Sequence, residues 1–195
     1  REAAMVAPAK AWLVGKRLRR LAVVWKEDVR RWHPGQAWIW QPGGLGVFDP
    51  GINALSIVSE ILPDPLRLAA AELSFPANCD TPIAASLRFS HPHGAAVSAE
   101  FDFRQQGEQT WTIDIETSEG SLQLADGGAR LTIDGVPETQ LPAAGAALDG
   151  EYPRLYARMA RLIGNGAVDM DLSPMIHVAD AFLLGRRVSV EPFIE

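Results

Sequence analysis

The chain of 195 residues carries a single cysteine, Cys79. No disulfide can close within it, which fits a reducing, cytoplasmic setting. No apolar run approaches the roughly 20 residues that a membrane-crossing helix needs, so no membrane partner is expected. Residues 1–15 include Glu2 and lack an unbroken apolar core, so a secretory leader is not expected either. Positive charge is in deficit: 18 Lys and Arg against 24 Asp and Glu leave a formal charge of -6, which disfavours a nucleic-acid partner. The densest basic run, Lys16 to Arg20, is broken by Leu18 and reads as a solvated helix end. The four histidines, His33, His91, His93 and His177, show no zinc-type spacing. His91 and His93 share an apparent hairpin turn without a carboxylate or cysteine partner, so no metal site is expected. A Gly-x-Ser-x-Gly elbow is missing, and Cys79 lies in a turn without a neighbouring histidine, which excludes the common hydrolase nucleophiles. Gly43-Gly44-Leu45-Gly46 lacks the Lys-Ser/Thr of a phosphate loop. It also lacks the preceding strand and later acid of a dinucleotide fingerprint.

What is present is an ordinary globular composition, 47% hydrophobic and 22% charged, in a length that suits one domain able to bury a sizeable core without staples. Residues 3–15 have helical character with Gly15 as a stop and Pro8 as a possible kink. Residues 18–29 alternate apolar and polar positions as a strand does. Residues 32–44, rich in Trp, Pro and Gly, read as a shaped loop, and 44–61 return to helical spacing. From Leu66 the period becomes two: Leu73 and Phe75, Leu87 and Phe89, Val97 to Phe103, Trp111 to Ile115, Leu122 and Leu124, Leu131 and Ile133. Turn chemistry such as His93-Gly94, Glu119-Gly120 and Asp134-Gly135 separates these runs. Six or so short strands joined this tightly predict an antiparallel sheet, because parallel strands need long crossovers. Residues 136–150 read as a linker, and 152–163 and 174–188 as two amphipathic helices. Ser173-Pro174 would open the second, and Arg186 and Arg187 would close it. The expected class is α+β, a mainly antiparallel open-faced sheet of about six or more strands with helices on one face. The polar second face, carrying Thr112 and Asp114, is then available to another subunit, so a homo-oligomer is expected.

Chemistry concentrates in residues 25–53. Four of the six tryptophans, Trp25, Trp32, Trp38 and Trp40, fall within sixteen positions. They are interleaved with Glu27, Asp28, His33 and Gln36. Aromatic faces beside carboxylate, imidazole and amide groups suit a sugar, whose C–H faces stack while its hydroxyls hydrogen-bond. An aromatic core cluster beneath a loop would have the same composition. Asp49 and Asn53, four apart, share one face of a helix, yet Asp49-Pro50 is also the pattern of an N-cap followed by proline.

The stretch Gly43-Gly44-Leu45-Gly46-Val47-Phe48-Asp49-Pro50-Gly51-Ile52-Asn53 resembles the Gly-Gly-Gly-x-Leu-x-Asp-x-Gly-x-His pattern of the glucose–fructose oxidoreductase/inositol dehydrogenase/rhizopine catabolism family. His177-Val-Ala-Asp-Ala-Phe-Leu-Leu-Gly-Arg-Arg stands where that family has its last helix. Residues 25–36 and 48–58 look like those of its aldose 1-dehydrogenases acting on L-arabinose and D-galactose, in which an asparagine takes the place of the usual histidine, here Asn53. The resemblance implies that residues 1–195 are the C-terminal substrate-binding and catalytic domain of a two-domain enzyme. A Rossmann domain of roughly a hundred or more residues would precede it, binding NAD or NADP and supplying a lysine from a Glu-Lys-Pro motif absent here. It implies oxidation of a monosaccharide at its anomeric carbon to the lactone, with Asp49 as base or proton relay and Asn53 orienting the anomeric hydroxyl. Glu27 and His33 would bind other hydroxyls, with Trp32 and Trp111 as walls. The isolated domain would be inactive. A non-catalytic sugar-binding or oligomerisation module, or a relative acting on another polyol, are the competing expectations. A tetrapyrrole is disfavoured because its propionates would call for arginine partners, although Arg30 and Arg31 lie close by.

Overall fold

A computed structural model describes residues 1–138 and 147–194. Helix α1 (Val6–Leu13) leads into strand β1 (Leu18–Lys26), a single helical turn α2 (Val29–Trp32), a 3-10 turn at Ala37–Trp40 and helix α3 (Phe48–Ile61). Strands β2 (Arg67–Pro76), β3 (Ala84–Ser90), β4 (Ala96–Asp102), β5 (Thr110–Thr117), β6 (Gly120–Ala125), β7 (Arg130–Ile133) and β8 (Val136–Pro137) follow. Helices α4 (Ala147–Gly164) and α5 (Ser173–Leu184) and strand β9 (Arg186–Val190) complete the described chain.

The strands form one open sheet in the order β8-β7-β6-β5-β1-β4-β3-β2-β9. Two hairpin-connected runs, β2 to β4 and β5 to β8, are antiparallel within themselves. They do not pair with each other, because β1 is inserted between them, parallel to β4 and antiparallel to β5. Alternate residues of β1, Leu21, Val23 and Trp25, are buried on the core face. There they meet Phe101 and Ala99 of β4, Ile113 and Ile115 of β5, and apolar residues of α1, α3 and α5 such as Val6, Leu55, Val58 and Val178. The opposite face is polar, with cross-strand pairs such as Arg20 donating to Glu116 at 3.0 Å and Ser86 donating to Glu100 at 2.7 Å. An apolar core can form on only one side of such a sheet, so the helices gather there.

The α+β class and the one-sided helices agree with the sequence reading, but the sheet is larger and mixed. Nine strands are found among the described residues, and two pairings, β1 with β4 and β2 with β9, are parallel. The strand expected to reach residue 29 stops at Lys26, where Asp28 accepts a hydrogen bond from the Arg30 N–H and caps α2. The helix expected over 174–188 ends at Leu184. Gly185 is extended, and Arg186–Val190 pair along β2 instead of capping a helix. Ser173 does not cap α5 with its hydroxyl, which donates to Asp171 at 2.6 Å. Of the expected linker, Val136–Pro137 forms β8 and Ala147 onward is helical, while 139–146 lie outside the described residues. No helix among the described residues is long and apolar enough to cross a membrane.

Candidate functional site

The parallel pairing of β1 with β4 determines where the chemistry gathers. Two parallel strands end at the same edge of a sheet, and an antiparallel neighbour begins there. At this edge Trp25 lies opposite Phe101 of β4 and Trp111 of β5. Just beyond β1, the Glu27 N–H donates to Asp102 C=O at 2.9 Å, and the Val29 N–H to Phe103 C=O at 3.1 Å. The chain is therefore held against β4 as it turns into α2, and α2 carries Trp32 and His33 back over the strand ends.

Glu27 is 2% exposed, and both of its carboxylate oxygens are engaged. Trp111 Nε1–H donates to Oε2 at 3.0 Å, and His33 Nε2 lies 3.1 Å from Oε1. A buried carboxylate is costly unless it is hydrogen-bonded in this way. His33 Nδ1 faces two further acceptors, Gln36 Oε1 at 3.4 Å and Asp49 Oδ2 at 3.8 Å. The His33 pKa is raised above the ordinary histidine value, chiefly by the hydrogen bond to Glu27, with burial opposing and the charges of Glu27 and Asp49 assisting. An imidazole among three acceptors is best satisfied with a proton on each nitrogen. The Trp111 ring stacks on buried Trp25 at 5.7 Å and meets Trp32 at 5.1 Å; Trp32 is 38% exposed.

Asp49 comes from the first turn of α3. That turn is closed by backbone bonds, Phe48 N–H to Leu45 C=O and Asp49 N–H to Gly46 C=O, and has no side-chain cap. The helix-cap reading of Asp49-Pro50 is thereby excluded. Its carboxylate is about 30% exposed and lies beside His33. Pro50 falls in the first turn, where no N–H is needed. Gly51 explains the next position of the motif: a Cβ there would stand 3.2 Å from the Phe101 ring, tighter than ordinary contact, so glycine eases the close approach of α3 to β4. Asn53, one helical turn beyond Asp49, is exposed on the same face.

The structure thus joins Trp32, Trp111, Glu27, His33 and Asp49 in one continuous cluster and connects Asn53 to it through helix spacing. Gln36, Trp25 and Phe103, whose ring lies 5.6 Å from that of His33, complete the surroundings. None of the three was given a site role from sequence. Gln36 stood within the tryptophan-rich stretch, but only the fold shows which imidazole nitrogen it faces.

The glycine run and the His91–His93 pair are placed by the same geometry. Gly44 and Gly46 serve inward packing. A Cβ on Gly44 would lie 2.5 Å from the Trp38 and Ile39 carbonyl oxygens, and one on Gly46 would lie 2.3 Å from that of Pro82. This glycine run does not fit a dinucleotide cradle. His91 and His93 do acquire a carboxylate, contrary to the sequence reading: Asp64 Oδ2 lies 3.7 and 3.6 Å from their Nε2 atoms. Even so, no group of three or more His, Cys, Asp or Glu among the described residues is arranged to hold a metal ion.

No family model matches the chain. The galactose 1-dehydrogenase of Pseudomonas fluorescens is 52% identical over 190 residues, covering 97% of this chain and 60% of that protein. The crystal structure of D-galactose-1-dehydrogenase from Rhizobium etli superposes with a TM-score of 0.91 at 51% identity, over 99% of this chain and 60% of that one. Levoglucosan dehydrogenase, solved with NADH and levoglucosan, has the same fold, with a TM-score of 0.69 at 16% identity over 92% of this chain and 58% of that one. The chain therefore spans about three fifths of the length of these relatives. It is a homologue of the galactose 1-dehydrogenases and has the fold of the glucose–fructose oxidoreductase/inositol dehydrogenase/rhizopine catabolism type of dehydrogenase.

Proposed function

We propose that this chain is the substrate-binding domain of an NAD(P)-dependent aldose 1-dehydrogenase, and that the full-length protein oxidises D-galactose at its anomeric carbon to the lactone. The observation that carries the reading is the line of groups from Trp111 through Glu27 and His33 to Asp49. Glu27 is used up internally, while Asp49 retains carboxylate capacity at the surface. D-galactose is placed ahead of L-arabinose because the two relatives described above that share more than half of their residues with this chain are galactose dehydrogenases. The sugars differ by one hydroxymethyl group, a distinction of pocket depth.

In this reading the anomeric hydroxyl gives its proton to Asp49, and Asn53 holds the same hydroxyl by hydrogen bonding. His33, whose Nε2 is held by Glu27, is left to offer its Nδ1–H to a ring hydroxyl beside Asp49. Trp32 and Trp111 pack against the C–H faces of the ring. Glu27 acts on the sugar through His33 and Trp111, whose orientations it fixes. The nicotinamide supplies the hydride acceptor when bound, and NAD or NADP is assigned mainly to an N-terminal domain, together with the partner lysine. No residue of this chain is assigned to hold it. Arg30 is turned towards Ile194 C=O and Asp28, which argues against the tetrapyrrole alternative. Self-association through the polar sheet face, and a cytoplasmic location, remain part of the proposal.

The test is turnover by the full-length protein on D-galactose, L-arabinose and other aldoses, followed as NAD(P)H, beside Asp49→Ala and Asn53→Ala. Large losses in folded variants support the roles. Absence of activity on every aldose, or full activity in both variants, overturns them.

A further inference from the structure

The loop that carries His33 is short of internal structure. α2 is a single turn, and the 3-10 turn after it is four residues long. Something outside the loop must therefore hold it. The backbone bonds of Glu27 and Val29 to β4 secure only its beginning. Its outer side rests on the segment that follows β9, Glu191–Ile194.

That segment is clamped to the loop between β2 and β3. Asn78 uses its side-chain amide as a second backbone. Its Oδ1 accepts the Phe193 N–H at 2.9 Å, and its Nδ2 donates to the Phe193 C=O at 2.8 Å. This pairing extends the parallel ladder of β9 on β2, whose last bond runs from the Ala77 N–H to Val190 C=O. Two residues further on, the same β2–β3 loop also grips the 3-10 turn. The Asp80 N–H donates to Trp40 C=O at 2.9 Å, and the Thr81 hydroxyl to Ile39 C=O at 2.7 Å.

Held in this way, Phe193 reaches His33 by two routes. Its ring packs on Trp40 at 5.0 Å; Trp40 meets the edge of buried Phe103 at 5.8 Å, and Phe103 lies against the His33 ring. On its other side Phe193 carries the Arg30 guanidinium at 4.6 Å, while Arg30 Nη2 donates to Ile194 C=O at 2.6 Å. Arg30 belongs to α2, two residues before Trp32, and is paired with the Asp28 cap. A cation over an aromatic face and a charge-assisted hydrogen bond thus tie α2 to the strap.

We propose that Glu191–Ile194, with Phe193 as its anchor and Asn78 as its clamp, is a strap that positions Trp32 and His33, and so sets affinity for the substrate without taking part in chemistry. The inference rests on the substrate-site reading above. Phe193 and Asn78 are positioning residues, since neither belongs to the cluster of Glu27, His33 and Asp49. Groups that orient a binding loop act mainly on ground-state binding, which appears in KM and leaves kcat largely intact.

The experiment uses the full-length protein carrying Phe193→Ala, Asn78→Ala or Arg30→Gln, with Phe193→Tyr as the conservative control. Two readouts are taken: KM and kcat for D-galactose, and amide hydrogen exchange of Trp32 and His33, whose N–H groups bond to Asp28 and Val29 C=O. The expected result is a roughly tenfold rise in KM with kcat held within about twofold, and faster exchange at residues 32 and 33. Exchange in β1 and α3 stays unchanged, and Phe193→Tyr restores both readouts. Unchanged KM and exchange in the folded variants would overturn the strap, as would exchange that rises evenly through the whole fold. Should Phe193→Ala fail to fold, Arg30→Gln cuts the connection from the loop side and decides the matter. If the unmodified protein oxidises no aldose, the substrate reading fails, while the exchange data still decide whether the strap holds the loop.

Discussion

Histidine and carboxylate meet at both ends of this sheet, with opposite results. At the edge where β1 and β4 finish, Glu27 is buried and receives N–H groups from His33 and Trp111 at 3.1 and 3.0 Å. At the other end, Asp64, from the connection between α3 and β2, is partly exposed and stands 3.7 and 3.6 Å from His91 and His93 of the β3–β4 turn, beyond hydrogen-bonding reach. The His33 pKa is raised because its carboxylate is desolvated and bonded to it. The His91 pKa is lowered because burial of the imidazole outweighs the charge of Asp64. Proximity of a carboxylate does not by itself charge a histidine; what counts is whether the two share a hydrogen bond away from water.

The largest expected effect separates the two ends by chemistry. In the full-length protein, Asp49→Ala is expected to lower kcat on D-galactose by roughly 10²–10⁴, as removal of a general base does. Asp64→Ala at the far end should leave kcat within about twofold. Steady-state assays of both variants check this, and comparable losses would erase the distinction between the ends.

Stability comes next. Glu27→Ala leaves the Trp111 N–H and His33 without their acceptor, at a cost of about 1–3 kcal/mol, whereas His93→Gln in the exposed turn should stay within about 0.5 kcal/mol. Urea unfolding of the two variants decides whether the buried pairing outweighs the exposed one. Gly51→Ala sharpens the comparison further. Its Cβ would press on the Phe101 ring at 3.2 Å and lift the start of α3, costing about 1–3 kcal/mol by overpacking. A readout specific to the site is a weaker His33–Asp49 coupling in NMR titration.

The smallest effect is in pH dependence. His33, with its folded pKa raised above 6.5, contributes stability that is complete below the unfolded value and fades as pH rises through the folded one. His177 and His91, lowered chiefly by burial, contribute in the opposite sense: stability present above about 6.5 is lost as pH falls from there through their lowered folded values, since the unfolded chain takes up protons that the buried imidazoles do not. Histidine NMR titration should place His33 above the ordinary value and the other two below it. In Glu27→Gln, His33 should move back down towards that value.

Much of this was legible in the chain. Two-residue alternation such as Ile113-x-Ile115 and Leu122-x-Leu124 predicted strands that are buried on that face, because side-chain direction in a strand is set locally. The candidate site residues were named through the family resemblance carried by residues 25–36 and 43–53, since composition and spacing alone suited an aromatic core cluster and a helix cap just as well. The placement of β1 was not legible, since nothing local distinguishes a strand that pairs with its chain neighbour from one inserted between two meanders. β9 was misread for a related reason: Arg186–Val190 is five residues long, and its alternation became meaningful only with the edge of β2 available to pair with.

The chain alone is enough to say which segments alternate, where turns fall, and that aromatic and titratable groups crowd into residues 25–53. These follow from short-range sterics and side-chain chemistry. Only the tertiary structure decided that β1 runs parallel to β4, and that choice brings Glu27, residue 103 and residue 111 to the same edge. It also decided that Asp49 is no helix cap, that Gly44 and Gly46 face inward, and that Phe193 returns to brace the loop of His33. The physical reason is the same throughout: hydrogen bonds and burial between residues distant in sequence depend on which edge and which face remain open after the local elements have formed.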